Sequence, residues 1–169
     1  MTPRLRAPGA EDAGFLFRLA AECDLRWPAV SRFNQVMTPA SVLNVLQSVV
    51  EVGYLVLDSD RSPVGVVGLV DADVPSRVVW LDGHSLPGDQ KGLQLISEAV
   101  PIVLDEVGRA GTVRFVYYDD LVELNESIID GENFQFWEEE LRIPQFVQIN
   151  GLWCSRVTYR LDVARWVDR

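Results

Sequence analysis

The chain contains one histidine, His84, and one lysine, Lys91, and a run of turn residues lies between them: Ser85-Leu86-Pro87-Gly88-Asp89-Gln90-Lys91-Gly92. An imidazole exchanges a proton near neutral pH, which suits a general base. A glycine-bearing loop that opens a helix aims free backbone N–H groups and the positive end of the helix dipole at one place, and an ammonium there adds a full charge. Together these features suit a phosphate or pyrophosphate. Asp82 lies at the end of the strand that precedes His84, where its backbone weighs more than its carboxylate, and Glu123 follows a later β-prone run and offers a carboxylate as a second proton acceptor. The same residues also have a plain reading: a loop histidine, two solvated carboxylates and a strand-to-helix turn that needs a glycine.

Other chemistries find little support. Ser85, Ser97 and Ser127 have no histidine or carboxylate at a nucleophile spacing, and no Gly-x-Ser-x-Gly elbow is present. Cys23 and Cys154 are far apart and read as free thiols, Cys154 as a small packed residue. One His and two scattered Cys do not make a zinc site, and no acidic loop has calcium spacing. No metal is expected.

These residues must be held by an α/β domain. Arg4–Ala7 reads as a first strand. Ala10-Glu11-Asp12 opens a helix with Phe15, Leu16, Leu19 and Ala20 on one face. The segment 26–36 is irregular, and Thr38-Pro39 starts a second helix with Val42, Leu43, Leu46, Val49 and Val50 on its apolar face. Strands follow at 53–57, 64–70 and 77–82, the first two as a hairpin. A long helix is expected from Leu93 to about Val107, kinked at Pro101. Then come a strand at 112–118, a short helix from Asn125, and strands at 134–137 and 144–150 on either side of the acidic run Glu138-Glu139-Glu140. That run is read as a solvated face, with attraction of a cationic acceptor as the alternative. Asn150-Gly151 is a hairpin turn leading to a last strand from Trp153 to Leu161. Residues 1–169 thus read as a single domain with a mixed sheet flanked by helices.

Composition bounds the partners. The chain has 169 residues, 48% of them hydrophobic, enough for a core. Lys and Arg number 15 against 25 Asp and Glu, a formal net charge of −10. Such a surface disfavours nucleic acid and attracts cations, amines included. No apolar run is long enough for a membrane span and no apolar signal region follows the N-terminus, so the expected setting is the cytoplasm.

In this order and spacing the chain resembles the GNAT superfamily of acyl-CoA-dependent N-acyltransferases, across nearly its whole length. Leu5-Arg6-Ala7-Pro8-Gly9-Ala10-Glu11-Asp12-Ala13 is similar to the family's opening strand and helix start, and Pro63–Leu69 to its third strand. Val78–Asp82 looks like the fourth strand, which in the family pairs with the pantetheine arm. The end, Phe146–Leu161 followed by Arg165-Trp166, is most like the ribosomal-protein acetyltransferase branch. The resemblance implies acetyl-CoA or another acyl-CoA as donor, with no metal. It places Leu81, Asp82, Gln90, Lys91, Gly92, Leu93, Gln94 and Asn125 at the cofactor, and His84 and Glu123 near the reacting groups. The region of Trp27 and Phe33 would line the acceptor pocket.

The chain departs from the family pattern at three points. Asp89 stands where the phosphate loop has Gln or Arg, Gln94 where it has a small residue, and Glu132 where a tyrosine often protonates the thiolate. The expected reaction is direct transfer to the amine of a small molecule or peptide, without nucleic acid or membrane as partner; a homodimer stays open. The alternatives are a domain of this fold that binds a ligand or partner without coenzyme A chemistry, or one that performs another reaction on a small metabolite.

Overall fold

Seven strands form one sheet in the order β1-β2-β3-β4-β5-β7-β6 in the computed structural model, which describes residues 3–22, 38, 50–124, 126–129 and 131–169. The strands are β1 (Arg4–Arg6), β2 (Val50–Leu57), β3 (Pro63–Asp73), β4 (Val78–Ser85), β5 (Phe115–Leu121), β6 (Trp137–Ile149) and β7 (Leu152–Asp162). All neighbours are antiparallel except β4 and β5, which run parallel, so the sheet is mixed, as expected. The described helices are α1 (Ala13–Glu22), α2 (Gln90–Ala110) and α3 (Val163–Val167).

Side-chain alternation divides the sheet into two faces. Leu55 and Leu57 pack with Leu16, Leu19 and Ala20 of α1 on one face. Val56, Val67, Leu69, Val79, Leu81 and Val116 pack with the stripe Leu95, Ile96, Ala99, Val100, Val103, Leu104 and Val107 of α2 on the other. The start of α1 is fixed by an ion pair. Arg6 donates to both carboxylate oxygens of the buried Asp12 at 2.6 Å, and the Gly9 N–H donates to the same carboxylate at 2.7 Å. The Arg6 hydrogen bonds hold the Asp12 carboxyl below its ordinary range. At its far end α2 stops at Gly111, whose φ of 66° belongs to the left-handed region. There Arg77 donates to the carbonyls of Thr112 and Gly111 at 2.9 and 2.7 Å, a cation on the negative end of the helix.

Several expectations are corrected. α2 begins at Gln90 rather than Leu93, because Asp89 caps it, and it runs on through Pro101 as one helix. The acidic run does not separate two strands: β6 passes through it from Trp137 to Ile149, with register shifts between Glu139 and Leu141 and between Ile143 and Val147, and Phe134 lies in a 3₁₀ turn. Between β5 and β6 the described residues hold 3₁₀ turns at Val122–Leu124 and Gly131–Phe136 and no α-helix. The expected helix after Pro39, the aromatic wall of Trp27 and Phe33, and Cys23 lie outside the described residues. Among the described residues no helix is long and apolar enough to cross a membrane.

Candidate active site

The site begins where β4 and β5 part. Their parallel ladder runs from Val78–Phe115 through Val79–Val116 to Trp80–Tyr117 and ends there. Both strands continue, β4 to Ser85 and β5 to Leu121, held from outside by β3 and β7 up to the pairs Gly65–Ser85 and Leu121–Arg156. A wedge therefore opens between them. Along it, no described strand pairs with the inner edge of β4 from Leu81 to Ser85. Free N–H and C=O groups on such an edge suit an extended chain containing amides.

The two faces of β4 differ along this stretch. Val79, Leu81 and Gly83 lie on the α2 face; Trp80, Asp82 and His84 lie on the α1 face, opposite Val70, Gly68 and Val66 of β3. Thus β4 extends beyond its expected end at Asp82 and carries His84 within the strand rather than in a loop. The two-residue period then brings Asp82 and His84 together. His84 Nε2 lies 2.7 Å from Asp82 Oδ1, which also accepts from the Gly83 N–H at 3.0 Å. The ring is not turned to aim its N–H at that oxygen, so the contact is that of an ion pair when the ring is protonated. Asp82 Oδ2 is buried and has no hydrogen-bond partner among the described residues. Trp80 stacks on Tyr117 across the ladder's last rung, at 5.2 Å between centroids.

On the β5 side the carboxylates are taken. Asp119 accepts from Thr158 Oγ1 at 2.6 Å and pairs with Arg156. Glu123 accepts from the Ser155 N–H at 2.5 Å and from Ser155 Oγ at 2.7 Å, one bond to each oxygen. These bonds lower its pKa, so it is a poor proton acceptor. Glu123, expected as a proton acceptor near the reacting groups, is instead a carboxylate fastened to β7. Asp120, which the sequence reading passed over, is buried on the α2 face, and desolvation raises its pKa. Beside it the Tyr118 phenol is also buried and raised, first by desolvation and then by the Asp120 charge.

Four residues, Leu86 to Asp89, separate β4 from the N-terminus of α2. The Asp89 carboxylate accepts from the Gly92 N–H at 2.9 Å, and the Gln90 N–H donates to the Gly88 carbonyl at 3.1 Å. Of the first-turn groups from Gln90 to Gly92, only the Lys91 N–H is left without an acceptor among the described residues. Gly92 sits so close that a Cβ would meet Asp89 Oδ2 at 2.6 Å and the Val64 carbonyl at 3.0 Å. Lys91 is exposed, and its Nζ reaches Asp58 Oδ2 at 3.6 Å. Leu93 packs against the core, and Gln94 is turned along the helix to donate to Glu98 at 3.1 Å. The structure thus gathers Leu81, Asp82 and His84 at the wedge and Gln90, Lys91 and Gly92 at the helix start. Asn125 lies outside the described residues. Among the described residues no group of three or more His, Cys, Asp or Glu is placed to hold a metal ion.

No protein-family model matches the chain, and no curated protein matches its sequence. Solved structures do match. A spermidine N-acetyltransferase from Vibrio cholerae, in complex with CoA and spermine, is 17% identical with a TM-score of 0.70, over 98% of each chain. A mutant form of spermidine/spermine N-acetyltransferase from the same organism is 16% identical with a TM-score of 0.74, over 99% of this chain and 98% of the other. The ribosomal-protein-S5-alanine acetyltransferase of Vibrio fischeri is 15% identical with a TM-score of 0.67, over 98% and 96%. The chain has the fold of these GNAT acetyltransferases along essentially its whole length.

Proposed function

We propose that this chain is an acyl-CoA-dependent N-acyltransferase that moves an acetyl or other acyl group directly to the amine of a small molecule or peptide. The observation that carries the reading is the wedge between β4 and β5, with a free strand edge on one side and the Asp82–His84 pair beside it. The fold is shared with N-acetyltransferases, one of them solved in complex with CoA, which supports an acyl-CoA donor; in this reading the donor's amide arm pairs with the free edge through the backbone of Leu81 and Asp82. The phosphate end is assigned to the first turns of α2, Gln90, Lys91 and Gly92 followed by Leu93 and Gln94; Asn125, assigned with them from the sequence, falls outside the described residues.

In direct transfer the amine nitrogen bonds to the acyl carbon as the carbon–sulfur bond breaks. The amine loses a proton and the leaving sulfur carries away the bonding pair. His84 receives the amine's proton, and the Asp82 carboxylate is close enough to hold the resulting imidazolium. Glu123 is reassigned from the chemistry to the scaffold, since Ser155 occupies both its oxygens. The net charge of −10 favours a cationic acceptor. Among the described residues no activated nucleophile is in view: Cys154 is buried, with Sγ 3.6 Å from the Leu152 carbonyl.

Calorimetry with acetyl-CoA, followed by thiol release against a panel of amines, tests this reading. Binding, amine-dependent thiol release and an unmodified intact mass are expected. A stable acetyl adduct on Cys154 contradicts direct transfer. Absence of binding at millimolar acetyl-CoA moves the protein to the second reading, a domain that binds a ligand or partner without this chemistry. One observation favours that alternative: the chain's own carboxylate, Asp89, sits on the helix start where the donor's phosphates belong.

A further inference from the structure

Beyond Trp80 and Tyr117 the gap between β4 and β5 is not left open on its α2 face. Ile128, from the segment after β5, is 1% exposed. A Cβ placed on Gly83 of β4 would meet Ile128 Cδ1 at 2.9 Å and Ile96 Cγ2 of α2 at 3.0 Å. The Ile128 side chain, from the segment after β5, thus packs over Gly83 on the α2 face of β4, beside Ile96 in the core. Its backbone is tied in place: the Ile128 N–H donates to the Tyr118 hydroxyl at 3.3 Å. On one side of it Ser127 Oγ donates to the Ile129 carbonyl at 3.3 Å and accepts from the Ile129 N–H at 3.4 Å. Burial keeps the Tyr118 phenol protonated, so it serves as a neutral acceptor for that N–H.

We propose that Ile128 is a plug in the donor groove and that the Tyr118 hydroxyl is its latch. The proposal rests on reading the wedge as the donor groove. An amide chain laid along Leu81–Ser85 meets the Ile128 side chain over Gly83, so the donor enters only after 127–129 moves away. Measured affinity is then the intrinsic affinity reduced by the fraction of open molecules. Opening also frees the Tyr118 hydroxyl inside the groove. Tyr118 is in this sense a positioning residue, because it acts on the donor through Ile128.

Two variants separate plug from latch. Ile128→Ala removes most of the plug, and Tyr118→Phe removes one oxygen while keeping the ring. Calorimetry with acetyl-CoA is expected to show Ile128→Ala binding about tenfold or more tighter than wild type, from the lost packing of the closed form. Tyr118→Phe is expected to bind about fivefold tighter, the equivalent of one ordinary hydrogen bond. Amide hydrogen exchange at Ile128 should speed up by a similar factor in Tyr118→Phe, which keeps the test alive if Ile128→Ala does not fold. Faster exchange with unchanged affinity overturns the plug. Equal affinities in wild type and both variants overturn the plug and leave the donor groove standing. Absence of binding in all of them overturns the donor groove and the plug together.

Discussion

The two banks of the wedge both carry carboxylates, but their surroundings differ. On the β5 bank, Asp119 is held by Arg156 and Thr158, Glu123 by Ser155 through both oxygens, and Asp120 is buried against Tyr118. On the β4 bank, Asp82 uses one oxygen for Gly83 and His84, and its other oxygen is buried without a partner among the described residues. A buried carboxylate oxygen left without a donor is costly, and natural structures keep such groups mainly where something is to be bound or moved. Hydrogen-bonding capacity already consumed by the scaffold stabilises the fold; capacity left over is available for chemistry.

The largest effect expected from this difference is at His84. His84→Gln should lower turnover about a hundredfold while acetyl-CoA affinity stays within about twofold, as for loss of a general base. Steady-state kinetics beside calorimetry reads both, and a wild-type rate in this variant would move the proton acceptor elsewhere. Asp82→Asn should lower turnover about tenfold, because the imidazolium loses its counter-charge. Glu123→Gln is the control on the other bank. It should leave turnover unchanged within about twofold and show itself as a lower Tm, and a turnover loss as deep as that of Asp82→Asn would erase the distinction between the banks.

A smaller effect is expected at the start of α2. Asp89→Arg replaces a half-buried carboxylate by a cation at the proposed phosphate end, where repulsion across a few ångströms is roughly 1 kcal/mol. Acetyl-CoA should therefore bind up to about tenfold tighter at low salt, and the gain should shrink as salt rises. The same change removes the helix cap and should destabilise the fold by about 1 kcal/mol. Lys91→Ala, measured alongside, should weaken binding. If neither variant alters affinity, the helix start takes no part in donor binding. Gly92→Val belongs to a different class: its side chain would strike Asp89 and the Val64 carbonyl, so loss of binding there would come with loss of stability.

The smallest effect separates a buried carboxyl from a paired one. Asp120 has a raised pKa in the folded state, so its contribution is fully present below its ordinary value of 3.8 and is lost as pH rises through the raised value. Asp120→Asn should therefore stabilise the protein on the order of 1 kcal/mol at pH 7, with the gain gone by about pH 4. Asp12 runs the other way. The Arg6 hydrogen bonds depress its pKa, so its contribution is present above 3.8 and lost as pH falls through the lowered value. Thermal melts of Asp120→Asn and Asp12→Asn across this range should cross in sign, and parallel curves would refute the assignment.

Much of the frame is legible in the sequence because it is encoded by neighbours. The β2–β3 hairpin, the α2 stripe and the Asn150-Gly151 turn follow from period and turn chemistry, and that turn shows φ of 51° and 83°. The misreadings arise where a side chain competes with a local signal. Gly92 looks like the end of a loop but lies inside α2, because Asp89 caps the helix three residues earlier. Glu138, Glu139 and Glu140 look like a strand break, but arginines hold them along an edge strand: Arg160 and Arg165 pair with Glu138, Arg142 with Glu139, and Arg160 again with Glu140.

The sequence by itself determined most of the element order, the mixed α/β sheet and the acidic surface, because period and turn chemistry are local; it ended β4 at Asp82, and only the continued pairing of β4 with β3 to Ser85 puts His84 on the same strand face as Asp82. Tertiary structure decided which of these groups remain available. Ser155 reaches Glu123 across 32 positions, Arg156 reaches Asp119 across 37, and Tyr118 holds Ile128 against a glycine of another strand. Local periodicity does not specify such pairings. They come from the register of β5 on β7 and from the parting of β4 and β5, both of which are set by packing of the whole sheet.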